Sequence, residues 1–228
     1  MIKIHTWQQY VLCDSNYYTP AFKAILKDID ASIAKPLKVL KNDSSSTVVV
    51  IEVDGQRLVV KRTNTKGWFQ GFRRCFAKSR ARKNWRNTHY LQQANVATFT
   101  AIAMYEKRWG PLQLGSYFIC SYIEAFDALY YFSNQQFLAQ WPSIATNIIK
   151  TIHTLESHQI CHRDLNLSNL LVSNHQTVLI DLEGMKRHRF KAFAAWFAKR
   201  ERARLIKNWQ ETASALPESL AVFEKLLN

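Results

Sequence analysis

Apolar and polar positions along the chain follow two different periods, and the change of period separates its elements. Residues 38–63, "KVLKNDSSSTVVVIEVDGQRLVVKRT", read as three strands. The β-branched run Val48–Ile51 and the segment Leu58–Val60 flank Asp54-Gly55, a pair that predicts a tight hairpin because both residues tolerate positive φ. From Phe72 to Gln93 the apolar residues Phe72, Phe76, Trp85 and Leu91 recur at helical spacing within a basic background. "GSYFICSYIE" then reads as a buried strand running toward a connector. Residues 135–158 predict a helix whose apolar stripe is Ile144, Ile148, Ile152 and Leu155, with Pro142 suited to its first turn. Two short strands follow in "NLLV" and "TVLIDL", and then a basic helical region. In that last region Phe193, Trp196, Phe197, Leu205, Ile206 and Trp209 form one stripe, expected to pack on the larger lobe. Strands first and helices later predict an α+β chain of two lobes, a small β-rich one over residues 1–123 and a larger helical one over residues 124–228.

One loop in this frame carries chemistry. "HRDLNLSN", His162 to Asn169, lies between the long helix and a strand, and Asp181 ends the next apolar run, Val178–Ile180. Phosphoryl transfer to a hydroxyl needs a carboxylate that orients and deprotonates the acceptor, and oxygen ligands that hold Mg²⁺ against nucleotide phosphates. A loop of the form H-R-D-x-x-x-x-N provides the first and part of the second, and an Asp beyond the next strand provides the rest. Lys61 ends the third strand, where such proteins place a lysine that grips phosphates. The turn between the first two strands, Asp43-Ser44-Ser45-Ser46-Thr47, has no glycine, and its hydroxyls and backbone N–H groups are the candidates to cradle phosphate.

The net charge of +14 adds a partner class. From Gly55 to Tyr105 there is no acid, while Arg57, Lys61, Arg62, Lys66, Arg73, Arg74, Lys78, Arg80, Arg82, Lys83 and Arg86 fall in that span. A second basic stretch holds Lys186, Arg187, Arg189, Lys191, Lys199, Arg200, Arg202, Arg204 and Lys207. Such fields attract polyanions: nucleic acid, phosphorylated glycolipid or an anionic membrane face. Trp68, Phe69, Phe72 and Phe76 beside Arg73 and Arg74 read equally as a membrane contact or as helix core. Cys13, Cys75, Cys120 and Cys161 show neither CxxC nor zinc spacing and read as free thiols of a reducing compartment. His153, His158 and His162 read as helix-end and loop residues rather than metal ligands. The start "MIKIHTWQQY" lacks the apolar core of a secretory signal and no run is long enough to span a bilayer, so the expected location is cytoplasmic.

Six segments, "VVKR", "SRARKNWRNTHYL", "SYFICSYIE", "CHRDLNLSNLLV", "LIDLEGMKR" and "RERARLIKNW", resemble the lipopolysaccharide inner-core sugar kinases, the Kdo/heptose kinase family with a protein kinase-like fold, from about Val39 to Trp209. "ARKNW" and "RARLIKNW" point to this family rather than to RIO-type or aminoglycoside kinases. The resemblance implies that Asp164 is the catalytic base, Asn169 and Asp181 the Mg²⁺ ligands, and Lys61 the residue on the ATP phosphates, to which the reading of the turn adds Ser45 and Ser46 as phosphate-binding candidates. His162 and Arg163 would organise the loop. If "ICSYIEAFDAL" is the inter-lobe hinge, backbone groups from Ser121 to Ile123 would bind adenine and Asp127 would reach the ribose. The implied acceptor is a sugar hydroxyl of a lipid-linked, anionic inner-core oligosaccharide at the cytoplasmic face of the inner membrane in a Gram-negative bacterium. No nucleic-acid partner is expected.

Two departures from the family's pattern stand out. Asn84 falls where a helix glutamate usually pairs with the strand lysine, which leaves Asp181, Glu106 or Asn84 itself as partner of Lys61, or a degenerate kinase. "DLEG" stands where protein kinases have D-F-G, with Glu183 displacing the glycine by one. The rival readings are a small atypical protein serine kinase and a non-catalytic ATP-binding scaffold.

Overall fold

The computed structural model describes residues 1–64, 78–173, 176–212 and 221. The chain divides into two compact units: residues 1–88 with 99–122, and residues 89–98 with 123–228. Residues 89–98 therefore go with the second unit.

The first unit is built on a seven-stranded antiparallel sheet. β1 (Ile2–His5) and β2 (Gln9–Cys13) pair with each other, and α1 (Pro20–Lys27) and α2 (Ile29–Ala34) follow. Thr19 caps α1 by accepting from Phe22 N at 3.1 Å, with Pro20 in the first turn, and Asp28 caps α2. Next come β3 (Lys38–Asn42), β4 (Ser46–Val53) and β5 (Gln56–Thr63), the three expected strands. Asp54 and Gly55 both adopt positive φ, 51° and 72°, so the predicted hairpin turn is present. After α3 (Arg80–Gln93) the chain returns as β6 (Ala101–Trp109) and β7 (Leu112–Ser121). The sheet order β1-β2-β6-β7-β5-β4-β3 puts β5 and β7 in its interior. Phe22, Ile29, Val49, Ile51, Val60, Ile102 and Ile119 pack one shared core on it. Residues 72–77 of the expected helix, with Trp68 and Phe69, lie outside the described residues.

The second unit holds β8 (Phe126–Asp127), α4 (Ala128–Phe132) and α5 (Trp141–Ser157), which a short 3₁₀ turn precedes. Pro142 stands in the first turn of α5, and Ile144, Ile148, Ile152 and Leu155 are buried as the stripe predicts. β9 (Ile160–Cys161), β10 (Leu170–Ser173), β11 (Gln176–Leu179) and β12 (Lys186–Arg187) follow, then α6 (Lys191–Thr212). β11, β10 and β8 form one small sheet, and β9 pairs with β12.

The expected stripe on α6 is corrected in its first half. The buried residues there are Ala194, Ala198, Glu201, Leu205 and Trp209, one per turn, so small alanines face inward where large aromatics were expected. Phe193 and Trp196 sit on the other side of the helix and are 60% and 52% exposed. Cys13, Cys120 and Cys161 are free and buried, and burial raises their thiols to about 11, 12 and 11.

Candidate functional site

The HRDxxxxN segment forms a loop between β9 and β10, stitched at several points. His162 is fully buried and its Nε2 donates to the Ile180 carbonyl at 2.9 Å. The Ile180 N–H donates to the Asn169 carbonyl at 3.0 Å. Asn169 Nδ2 donates to the Asp164 carbonyl at 2.8 Å and faces Asp164 Oδ2 at 3.4 Å. Asn166 caps the turn by accepting from Asn169 N at 3.0 Å. These bonds bring Asp164, Asn169 and the strand end just before Asp181 into one constellation. Asp164 is exposed, while Asn169 and Asp181 are half-buried.

Two residues of this constellation are held in the left-handed region, Arg163 at φ 72° and Asp181 at φ 57°. A non-glycine residue is found there only when its surroundings fix it. At Arg163 those surroundings come from α6. The Glu201 carboxylate, 7% exposed, accepts from both the His162 N–H (3.1 Å) and the Arg163 N–H, and Arg204 Nη1 donates to the Arg163 carbonyl at 2.7 Å. Burial pushes the Glu201 carboxyl above the usual carboxylate range, against the opposing pull of the Arg163 N–H, His162 and Arg204. Sequence reading assigned no role to Glu201 or Arg204. The available signal was an acid inside a basic helix, "KRERAR", with no exposed reason to be there.

The donor set suits Mg²⁺. Asn169 aims its amide nitrogen at Asp164, which leaves its carbonyl oxygen, with the Asp181 carboxylate, as hard oxygen donors of the kind this ion takes alongside water and phosphate. Among the described residues no group of three His, Cys, Asp or Glu is placed to hold a metal. His158 instead closes α5, with its Nδ1 at 2.9 Å from the Thr154 carbonyl.

The remaining candidates lie elsewhere. Lys61 is half-buried on β5, opposite Val48 of β4 and Phe118 of β7. Asn84 is buried on α3. Glu106, on β6, is committed to Arg108 (Nε at 2.9 Å), to Ser79 Oγ at 2.5 Å and to Arg82 at 3.6 Å, which removes it from the possible partners of Lys61. In the β3–β4 turn the Ser45 amide, the Ser45 hydroxyl and the Ser46 amide all donate to Asp43 Oδ1, at 2.7, 2.7 and 2.8 Å. A phosphate cradled by Ser45 and Ser46 would have to displace that carboxylate. The Ser121 and Tyr122 N–H groups are taken by the Thr100 and Arg57 carbonyls, and Ile123 begins the second unit. Asp127 caps α4 through Tyr130 N at 2.8 Å.

An α+β chain of two units, with this loop between a long helix and two short strands, is a kinase-type phosphotransferase. The profile of the lipopolysaccharide kinase (Kdo/WaaP) family matches residues 41–212, and the chain belongs to that family. As a member it is a phosphotransferase with a sugar hydroxyl as acceptor. A solved structure of WaaP in complex with acyl carrier protein is similar in fold over 96% of this chain and 99% of that one, at 18% identity and a TM-score of 0.57. No curated protein matches by sequence.

Proposed function

We propose that this chain transfers the γ-phosphoryl group of ATP to a hydroxyl of Kdo or heptose in the lipopolysaccharide inner core. The observation that carries the reading is the hydrogen-bonded link from Asp164 through Asn169 to the strand end before Asp181. Asp164 orients the acceptor hydroxyl and takes its proton. Asn169 and Asp181 would hold Mg²⁺, which screens charge developing on the transferred group when bound. Lys61 would steady the ATP phosphates, with help from the Ser45–Ser46 turn if Asp43 gives way. Backbone groups from Ser121 to Ile123 and the free oxygen of Asp127 would serve adenine and ribose. Glu201 and His162 position the loop without touching substrate, and Arg204 holds the loop through the Arg163 carbonyl.

A lipid-linked acceptor also asks for a membrane-facing surface, and the second unit offers one. Phe190, Phe193 and Trp196 are 64%, 60% and 52% exposed. They lie in a stretch that carries Lys186, Arg187, Arg189, Lys191, Lys199 and Arg200 with no acid from Lys186 to Arg200. Exposed aromatics ringed by cations suit an anionic lipid interface. Among the described residues no helix is long and apolar enough to cross a membrane, so attachment would be peripheral, on the cytoplasmic leaflet.

The test is ADP release from Mg-ATP, with and without dephosphorylated inner-core lipopolysaccharide, for wild type and Asp164→Ala. Release that depends on the glycolipid and falls roughly 10²–10⁴-fold in the variant is expected, the usual worth of positioned acid–base catalysis. Phosphate appearing on protein acceptors instead would sink the glycolipid assignment, and ATP binding without turnover would sink the catalytic one.

A further inference from the structure

Beside the catalytic loop, on the side of α6, lies a cavity of about 230 Å³ lined by Cys161, Arg163, Phe197, Arg200, Glu201 and Arg204. Three arginines contribute to its wall. The one carboxylate in its wall, Glu201, offsets at most one of the three charges and spends both oxygens on the His162 and Arg163 N–H groups. Among the described residues no carboxylate oxygen lies within ion-pair distance of Arg163, Arg200 or Arg204. Arg204 uses one nitrogen on the Arg163 carbonyl, and its other donors stay available. Cationic groups gathered round a small cavity with partly apolar walls repel one another until an anion enters, and guanidinium forks match the oxygens of phosphate and carboxylate.

The position of the cavity narrows the choice of anion. Arg163 directly precedes Asp164, and its backbone is clamped at both the amide and the carbonyl, so its side chain starts from a fixed point relative to the proposed base. Arg200 lies over the Trp196 ring, 4.6 Å from its centroid, and Trp196 belongs to the exposed aromatic surface. The cavity thus stands between the residue that would activate the hydroxyl and the face that would meet lipid.

We propose that Arg163, Arg200 and Arg204 form an oxyanion subsite that receives a phosphate or carboxylate group of the acceptor, borne next to the sugar that is phosphorylated. The anion site stands on the cavity and its charges alone. Its assignment to the acceptor rests on the glycolipid-kinase reading.

The experiment compares wild type with Arg200→Gln, Arg200→Lys and, as a control for net charge, Lys150→Gln on α5. Arg200 is exposed and bonds no backbone group of the loop, so its loss should not unfold the protein, which circular dichroism checks. Calorimetry measures inorganic phosphate binding, and steady-state kinetics measures KM for inner-core lipopolysaccharide and for ATP. Arg200→Gln is expected to weaken phosphate binding about 10- to 100-fold, the worth of one charge-assisted contact. It should raise the acceptor KM by a similar factor while kcat and the KM for ATP stay near wild type. Arg200→Lys should recover part of both losses and Lys150→Gln should lose neither. Phosphate binding equal to wild type in Arg200→Gln overturns the subsite. Phosphate binding that needs Arg200 with an unchanged acceptor KM overturns the acceptor assignment in favour of a free anion. If wild type does not phosphorylate glycolipid at all yet binds phosphate through Arg200, the functional reading fails and the anion site stands.

Discussion

Replacing Glu201 by glutamine separates loop positioning from stability. The wild-type carboxylate offers two oxygens to two N–H donors, those of His162 and Arg163. A glutamine amide offers one oxygen, and its NH₂ group faces the second donor. One buried bond left unmade costs about 1–3 kcal/mol. The substitution also removes a buried charge, and relief of that desolvation is of similar size and opposite sign. The raised pKa of Glu201 carries the same message. Because the folded carboxyl keeps its proton to a higher pH than the unfolded chain's, the ionised group lowers global stability above its folded pKa. That cost is relieved as pH falls through it. Stability should therefore move by only about 1 kcal/mol, or about 2–4 °C in Tm for a chain of this length.

Catalysis should not be spared. A loop displaced by about an ångström loses up to about 10²-fold in rate, so kcat for Glu201→Gln should fall about 10- to 100-fold. The pH profiles should separate as well. As pH drops through the raised Glu201 pKa, wild-type activity should decline toward the variant's level before the wild type unfolds, while the variant lacks that limb. ADP release and calorimetric melting, followed together from neutral to mildly acidic pH, check this. A variant with wild-type kcat, or one whose activity loss is matched by a Tm drop far beyond about 4 °C, would refute the positioning argument.

Changing both Phe193 and Trp196 to serine should reduce sedimentation with vesicles containing anionic phospholipid by about 10-fold or more per residue, given about 1.5–3 kcal/mol for each large apolar side chain buried. Unchanged sedimentation, or loss only of binding to an acidic carrier protein, would reassign the surface. Trp209, fully buried with its ring 4.3 Å from that of Phe132, anchors α6, and Trp209→Ala should cost about 3–5 kcal/mol in urea unfolding. A loss under about 1 kcal/mol would mean that α6 is held by other contacts.

Where a signal was local, the amino-acid sequence carried it. The β3–β4–β5 strands show in their β-branched runs and in the Asp54-Gly55 turn, whose backbone preference depends on those two residues alone. α5 shows in Ile144, Ile148, Ile152 and Leu155 because its one buried face repeats once per turn. The loop that joins Asp164 to Asn169 was legible because H-R-D-x-x-x-x-N is a short local spacing between elements of readable period, while the roles proposed for Asp164, Asn169 and Asp181 await the assay. β1 was not read from the sequence: Ile2 and Ile4 alternate with exposed positions, but the signal is only four residues long. β6 offers less, since its first six residues are all buried and alternation vanishes when both faces are covered.

What the tertiary structure decided is which faces and charges meet. Glu201 lies 38 residues beyond Arg163 in sequence, and only folding makes it the acceptor for the loop's amides. The same holds for Glu106, taken by Arg82 and Arg108, and for Asp43, which occupies the turn amides expected to hold phosphate. On α6 the sequence reading took one stripe, which the structure divides into a buried face of alanines with Leu205 and Trp209 and an exposed one of Phe193 and Trp196. Helical period says that each is a face, not what it touches. Packing chose the alanines because a small side chain lets the helix lie close to its neighbours, and it left the aromatics outside, beside the arginines.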